Sequence, residues 1–229
     1  MNLRAKFVFS IGLLGLILLL LPSTLRADPI IGTFNGTANC IPFSCDALFG
    51  ISTYQQVYAS SAFTGVTPFN QINFFLALPG TLDSGTYTID FSYTSQAVNG
   101  LSSASPSANI GADETLFGTF SLGGGATPST LAFTGNAFTY NPAMGNLLMT
   151  INISGASDGA VSGFYDTDSS GSVTSRAFFG ATNVADSAGL VTGFASVPEP
   201  SSMLLLGTGL LGLLALTARS KRHVPPTAC

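Results

Sequence analysis

Between Asp28 and Ser196 the chain alternates apolar and polar residues over several short runs. In Gly85 to Thr94, Tyr87, Ile89, Phe91 and Tyr93 fall on one side, and Thr86, Thr88, Asp90, Ser92 and Thr94 on the other. A period of two places neighbouring side chains on opposite faces of a strand, one dry and one wet. Asn146 to Ser154 repeats the pattern, with Leu147, Met149, Ile151 and Ile153 inward and Leu148, Thr150, Asn152 and Ser154 outward. Ile72, Phe74, Leu76 and Leu78 form a third row; Leu116, Gly118, Phe120 and Leu122 form a fourth. Turn-forming clusters such as Pro79-Gly80, Asn99-Gly100, Gly123-Gly124-Gly125 and Asn141-Pro142 separate the runs. The pattern predicts strands near 30–38, 56–64, 71–78, 85–95, 114–122, 129–140, 146–154, 160–166, 172–180 and 189–195. Such strands must cover their dry faces with a second sheet, so the expected fold is all-β, an antiparallel β-sandwich. Ser102 to Asp113 has no alternation and reads as a loop. No fixed-period repeat is visible, which disfavours a solenoid.

Two segments depart from this pattern. Residues 1–27 begin with Arg4 and Lys6, run apolar from Phe7 to Leu21, break at Pro22 and end in Leu25-Arg26-Ala27. A basic head, a short apolar run and a small residue at the end describe a signal peptide for the Sec export machinery, cut between Ala27 and Asp28. The alternative is a retained anchor helix. At the other end, Val197-Pro198-Glu199-Pro200 precedes Ser201-Ser202 and an apolar run from Met203 to Ala218, followed by Arg219, Ser220, Lys221, Arg222 and His223. A helix over 201–218 reaches about 27 Å, enough to span a hydrocarbon core. Glu199 stays at the interface, and the cluster of Arg219, Lys221 and Arg222 stays on the cytoplasmic side. The expected organisation is an N-terminal signal helix, an extracytoplasmic domain over 28–196, and a C-terminal membrane segment over 197–223. That segment contains a single C-terminal transmembrane helix and is followed by a short tail at 224–229.

Charge then narrows the chemistry of the middle domain. Residues 28–196 hold ten acids against one base, Arg176, with no lysine and no histidine. An acidic surface repels phosphate backbones, so no nucleic-acid partner is expected. Ser-His-Asp and Cys-His catalysis lack their base, a Ser-Lys variant lacks its lysine, and a zinc hydrolase lacks imidazole ligands. Only a pair of carboxylates, as in glycosidases, remains as an enzymatic route, and the expectation is that the domain is not an enzyme. Cys40 and Cys45 are five residues apart and can close a small disulfide loop in an oxidising compartment; two free buried thiols are the alternative. In Asp166-Thr167-Asp168-Ser169-Ser170-Gly171, the acids and the glycine resemble the start of a calcium loop, with Asp166, Asp168 and Ser170 as candidate ligands. Ala177 stands where the closing glutamate belongs, which favours a hairpin turn. Phe75, Phe117 and Phe179 fall opposite the core rows and are candidate platforms for sugar rings, unless their strands are buried on both faces.

The order Pro198-Glu199-Pro200, a glycine-bearing apolar helix with Gly207, Gly209 and Gly212, and the basic run from Arg219 to Arg222 resembles the PEP-CTERM sorting signal of Gram-negative bacteria. Segments that it resembles also go by the name of an ice-binding protein C-terminal domain. Ice binding needs a regular threonine array, and Thr86 and Thr88 form a lone pair. The resemblance implies that an exosortase, a membrane protease, recognises Val197, Pro198, Glu199 and Pro200 and processes the tail, so that the chain is held briefly in the inner membrane and then delivered to the cell surface or beyond. Tyr140-Asn141-Pro142, Gly145-Asn146-Leu147-Leu148, Ser170 to Arg176 and Gly189 to Phe194 are also similar to sandwich ectodomains of PEP-CTERM proteins, a likeness that concerns fold and not chemistry. The expected role is structural or adhesive, in extracellular matrix or with exopolysaccharide. A lectin-like carbohydrate- or calcium-binding module is the alternative, and a carboxylate-dependent carbohydrate-active enzyme the third.

Overall fold

The computed structural model describes residues 28–157 and 163–196, together with Gly207, Gly209, Leu210 and Leu213. The strands form two sheets in which every pairing is antiparallel. The seven-stranded sheet runs β1 (Ile30–Ile31), β13 (Thr192–Ala195), β4 (Thr67–Leu78), β9 (Phe164–Asp168) and β12 (Gly189–Leu190), with β2 (Thr37–Asn39) on β9 and β7 (Thr130–Tyr140) on β4. The six-stranded sheet runs β11 (Val184–Asp186), β10 (Thr174–Phe179), β3 (Thr53–Tyr58), β8 (Asn146–Ser157), β5 (Thr81–Thr94) and β6 (Thr115–Ala126). One short helix, α1 (Asp46–Phe49), follows the disulfide between Cys40 and Cys45.

The core between the sheets is aromatic. Phe43 packs on Phe74, Tyr87, Phe133 and Tyr165 with ring centroids 4.9–5.8 Å apart. Phe69 similarly joins Phe91, Phe138 and Phe194. Large rings fill the gap between sheets that carry many small Thr, Ser and Gly residues, and edge-on contacts favour such packing beyond the area buried. The rows of alternating residues face this core: Tyr87, Ile89 and Phe91 on β5, and Leu147, Met149 and Ile151 on β8, are fully buried.

Departures from the expected strands have local causes. The segment read as 56–64 begins at Thr53 instead, and 60–62 form a single 3-10 turn. Gln56 faces inward between Tyr54 and Tyr58, so an amide interrupts the apolar row. That amide donates to the Leu190 carbonyl (2.8 Å) and accepts from the Leu190 N–H (2.8 Å), pairing with a backbone across the sandwich. The segment read as 30–38 is two short strands, β1 and β2, separated by a loop. On β6 the expected row of Leu116, Gly118, Phe120 and Leu122 breaks at its start. A bulge opposite Ile89 and Asp90 reverses the phase, turning Phe117 into the core and leaving Leu116 exposed.

The loop expected at 102–113 lies on the outer face of the six-stranded sheet. With the residues leading into it, it covers Val57, Leu148, Ala177 and Phe179: Val98 and Leu101 come from the approach and Ile110 from the loop itself. Asn109 fastens it by donating to Gln55 (2.8 Å) and to the Ser102 carbonyl (3.0 Å), and by accepting from the Ser102 N–H (2.8 Å). The centre of this sheet is therefore buried on both faces, and all six residues of β3 are buried.

At one edge the sheets nearly touch, because β6 passes directly into β7. Asn136 donates to the Leu116 carbonyl (3.1 Å), and a Cβ at Gly135 would collide with the carbonyl oxygen of Phe117. Among the described residues no helix is long and apolar enough to cross a membrane. The expected signal helix and most of the expected 201–218 helix lie outside the described residues; Gly207, Gly209, Leu210 and Leu213 are helical.

Candidate functional site

The two ends of the domain meet. Strand β1 pairs with β13, Ile30 opposite Gly193 and Ile31 opposite Thr192. Beyond the ladder, the Phe194 N–H donates to the Pro29 carbonyl (2.9 Å) and the Ser196 N–H to an Asp28 carboxylate oxygen (3.4 Å). Asp28, the expected first residue after signal cleavage, thus touches the last described residue before Val197. On its other side β13 pairs with β4 from Gln71 to Phe74, so the strand that leads into Val197 is interior to its sheet. Phe194 anchors it, with its ring 5.1 Å from Tyr58, 5.5 Å from Phe63 and 4.9 Å from Phe69. Ala27, Val197, Pro198, Glu199, Pro200, Arg219, Lys221 and Arg222 lie outside the described residues.

Asp166, Asp168 and Ser170 are close in sequence, but their groups serve the turn. Asp168 is fully buried and accepts from the Ser170 N–H (2.9 Å) with one oxygen and from the Thr33 N–H (3.1 Å) with the other. The Ser170 hydroxyl meets that of Ser172 at 2.8 Å. Burial raises the Asp166 carboxyl above its ordinary range. No group of three or more His, Cys, Asp or Glu side chains that could hold a metal occurs among the described residues. The connection is also not a hairpin as expected: β9 lies in one sheet and β10 in the other, so 169–173 arch across the edge of the sandwich.

A family description, the PEP-CTERM protein-sorting motif, matches residues 196–222. The chain carries a PEP-CTERM sorting motif. The match begins at Ser196, the residue hydrogen-bonded to Asp28, so the PEP-CTERM segment starts where β13 ends. The motif supports export through an exosortase system and membrane-anchored sorting of the Gram-negative type. No curated protein and no solved structure matches the chain.

Of the three expected aromatic platforms on the domain that precedes the PEP-CTERM motif, two are buried. Phe117 is in the core, 5.4 Å from Phe91, and Phe179 lies under the 102–113 loop. Phe75 remains at the surface, on the outer face of β4 beside Gln71 and Asn73. There it meets Phe34, which is 52% exposed, edge-on at 5.3 Å. Gly193 lies beneath; a Cβ there would press to 3.2 Å from the Phe75 ring. Gln71 donates to Asn73 at 2.7 Å, and Thr134 donates to Gln71 at 3.3 Å, so an amide rim borders the two rings. Phe34 was not foreseeable from strand alternation, because it sits in the loop between β1 and β2.

Two further groups became visible only in the fold. Arg176 points inward from β10 and grips Asp186 through two bonds of 2.8 and 2.9 Å, with its guanidinium 5.2 Å from the Phe178 ring. Sequence separation alone could not distinguish this from a free surface cation. Asp46 is fully buried at the start of α1, accepting from the Tyr87 hydroxyl (3.1 Å). Burial, with a smaller push from the nearby Asp83 charge, holds its carboxyl well above the ordinary carboxylate range, against the opposing pull of the Tyr87 bond.

Proposed function

We propose that residues 28–196 are the exported domain of a protein that the Sec machinery delivers and an exosortase processes, and that the mature domain is a structural or adhesive component of extracellular matrix. In this reading the signal peptide is cut between Ala27 and Asp28, the 201–218 helix holds the chain in the inner membrane, and cleavage near Val197–Pro200 sends the domain to the cell surface or beyond. The observation that carries the reading is the sorting motif, which begins directly after a strand locked into the sheet. The lack of histidine and lysine in residues 28–196 favours a non-catalytic domain. Mass spectrometry of the mature protein from its native cell tests this at both ends: it should begin at Asp28 and lack the 201–222 segment. A product that retains that segment in cells with an active exosortase would overturn the sorting claim.

A lectin-like reading is favoured by Phe34 and Phe75. Aromatic rings beside amides suit the apolar face and hydroxyls of a sugar. The one base of the domain is already paired with Asp186, so an acidic polymer would meet ten acids with no open cation to receive it. Neutral exopolysaccharide is the better match. Affinity electrophoresis in gels containing neutral glucans should retard the domain, and Phe34→Ala with Phe75→Ala should restore its mobility. Equal mobility of the two proteins in every glucan would count against this face as the binding site.

A further inference from the structure

The position of Ser196 constrains how the domain stands while its tail is in the bilayer. Taking the 201–218 helix as the anchor, which is the reading proposed above, five residues lead from Ser196 to Ser201. Fully extended they span about 17 Å, of which crossing the headgroup layer takes roughly 6 Å. The end of the sandwich from which Ser196 emerges is therefore held within about 10 Å of the lipid headgroups. Strand β5 has fourteen residues, and at ~3.3 Å each the sandwich is about 45 Å long. Its opposite end cannot reach the membrane on so short a lead.

The end that is held close carries two uncharged loops. Phe63 contacts both Phe194 and Tyr140, which brings the 59–66 and 141–145 loops beside the exit of the chain. Neither the 59–70 nor the 139–146 segment contains a charged residue. Each loop instead presents a large apolar side chain: Val66 is 48% exposed and Met144 is 67% exposed. Apolar tips without charge suit the boundary between headgroups and acyl chains. The tether keeps them at high local concentration, so contacts too weak to bind a free domain suffice.

From this geometry we infer that the 59–66 and 141–145 loops form a membrane-facing surface, with Val66 and Met144 inserted among lipid headgroups, for as long as the C-terminal segment remains in the bilayer. Docking orients the start of the sorting motif flush with the membrane surface, where a membrane-embedded protease works. It also ends when the tail is cut, because the tether then no longer supplies the local concentration. The partner is the lipid surface itself.

The test uses the signal-cleaved chain, residues 28–229, with Cys229→Ser in phosphatidylethanolamine/phosphatidylglycerol vesicles. An environment-sensitive dye is placed at Met144→Cys, at Val66→Cys or, at the opposite end of β7, at Ser129→Cys. Vesicles containing headgroup-region nitroxide lipids should quench the dye at 144 and 66 at least twofold more than at 129. Failure of the chain to float with the vesicles would overturn the anchoring and this inference together. Flotation with equal quenching at the three positions would overturn the docked surface alone, leaving the anchor intact.

Discussion

At the scale of single residues, the interior is defined as much by its polar groups as by its rings. Asp46 is a carboxyl without access to water, and one of its oxygens has no hydrogen-bond partner. Its folded pKa lies above the unfolded value of about 3.9, so the stability contributed by its protonated form is complete below that pH and is lost as pH rises through the folded value. Asp46→Asn, neutral at every pH, is expected to raise stability by roughly 1–3 kcal/mol at pH 7. The advantage should shrink towards pH 4, read from thermal melts at both values. A constant difference across that range would mean that the carboxyl does not titrate as described. None of this was legible beforehand, since an aspartate one residue after a cysteine looks like any turn acid. The inward rows of β5 and β8 were legible because nothing interrupts their alternation. Gln56 interrupted the row on β3, and its partners lie 134 residues away on β12.

Among elements, the outer loop and the β6 bulge explain where alternation misleads. Leu148 and Phe179 were expected on a solvent face, yet each is buried because the 102–113 loop supplies a third layer over that sheet. A loop without periodicity carries no signal of what it covers. Gln55, Thr94 and Gln96 donate to its Pro106, Asn109 and Ala108 carbonyls, and the Asn109 side chain ties Ser102 to Gln55 beneath it. Asn109→Ala is expected to cost about 2–4 kcal/mol, since it removes bonds to Gln55 and Ser102 and leaves buried partners unsatisfied. Urea denaturation should show the loss, and limited proteolysis should cut first between 102 and 113. Resistance of that loop to protease in the variant would show that the carbonyl bonds from Gln55, Thr94 and Gln96, with the packing of Leu101 and Ile110, suffice to hold it. The bulge on β6 has the opposite origin. A single extra residue on the edge strand, next to Gly118, inverted the row. The isolated glycine was the one sign of a bulge there, and with Gly118 read as part of the row Phe117 looked like a surface platform while it packs against Phe91. Phe75 kept its expected face because β4 has no irregularity between Gln71 and Phe75.

For the whole molecule, the defining contact joins residues at the two ends of the domain. Ile31 is 3% exposed and belongs to the core, although its strand has only two residues. Ile31→Ala is expected to lower stability by about 2–4 kcal/mol and to speed hydrogen exchange at the N–H groups of Phe194 and Ser196, which β1 and the residues before it protect. Unchanged exchange there would mean that β13 is secured by β4 alone. This join also determines how the domain carries mechanical load. Tension applied through the C-terminal segment pulls β13 along its own axis, whereas its hydrogen bonds to β1 and β4 run across that axis. The bonds on both flanks are then strained together instead of opening one after another. Phe194 must also be dragged past Tyr58, Phe63 and Phe69 before the strand can slide. A domain pulled against its C-terminal segment is therefore loaded in shear along its last strand instead of being unzipped from it.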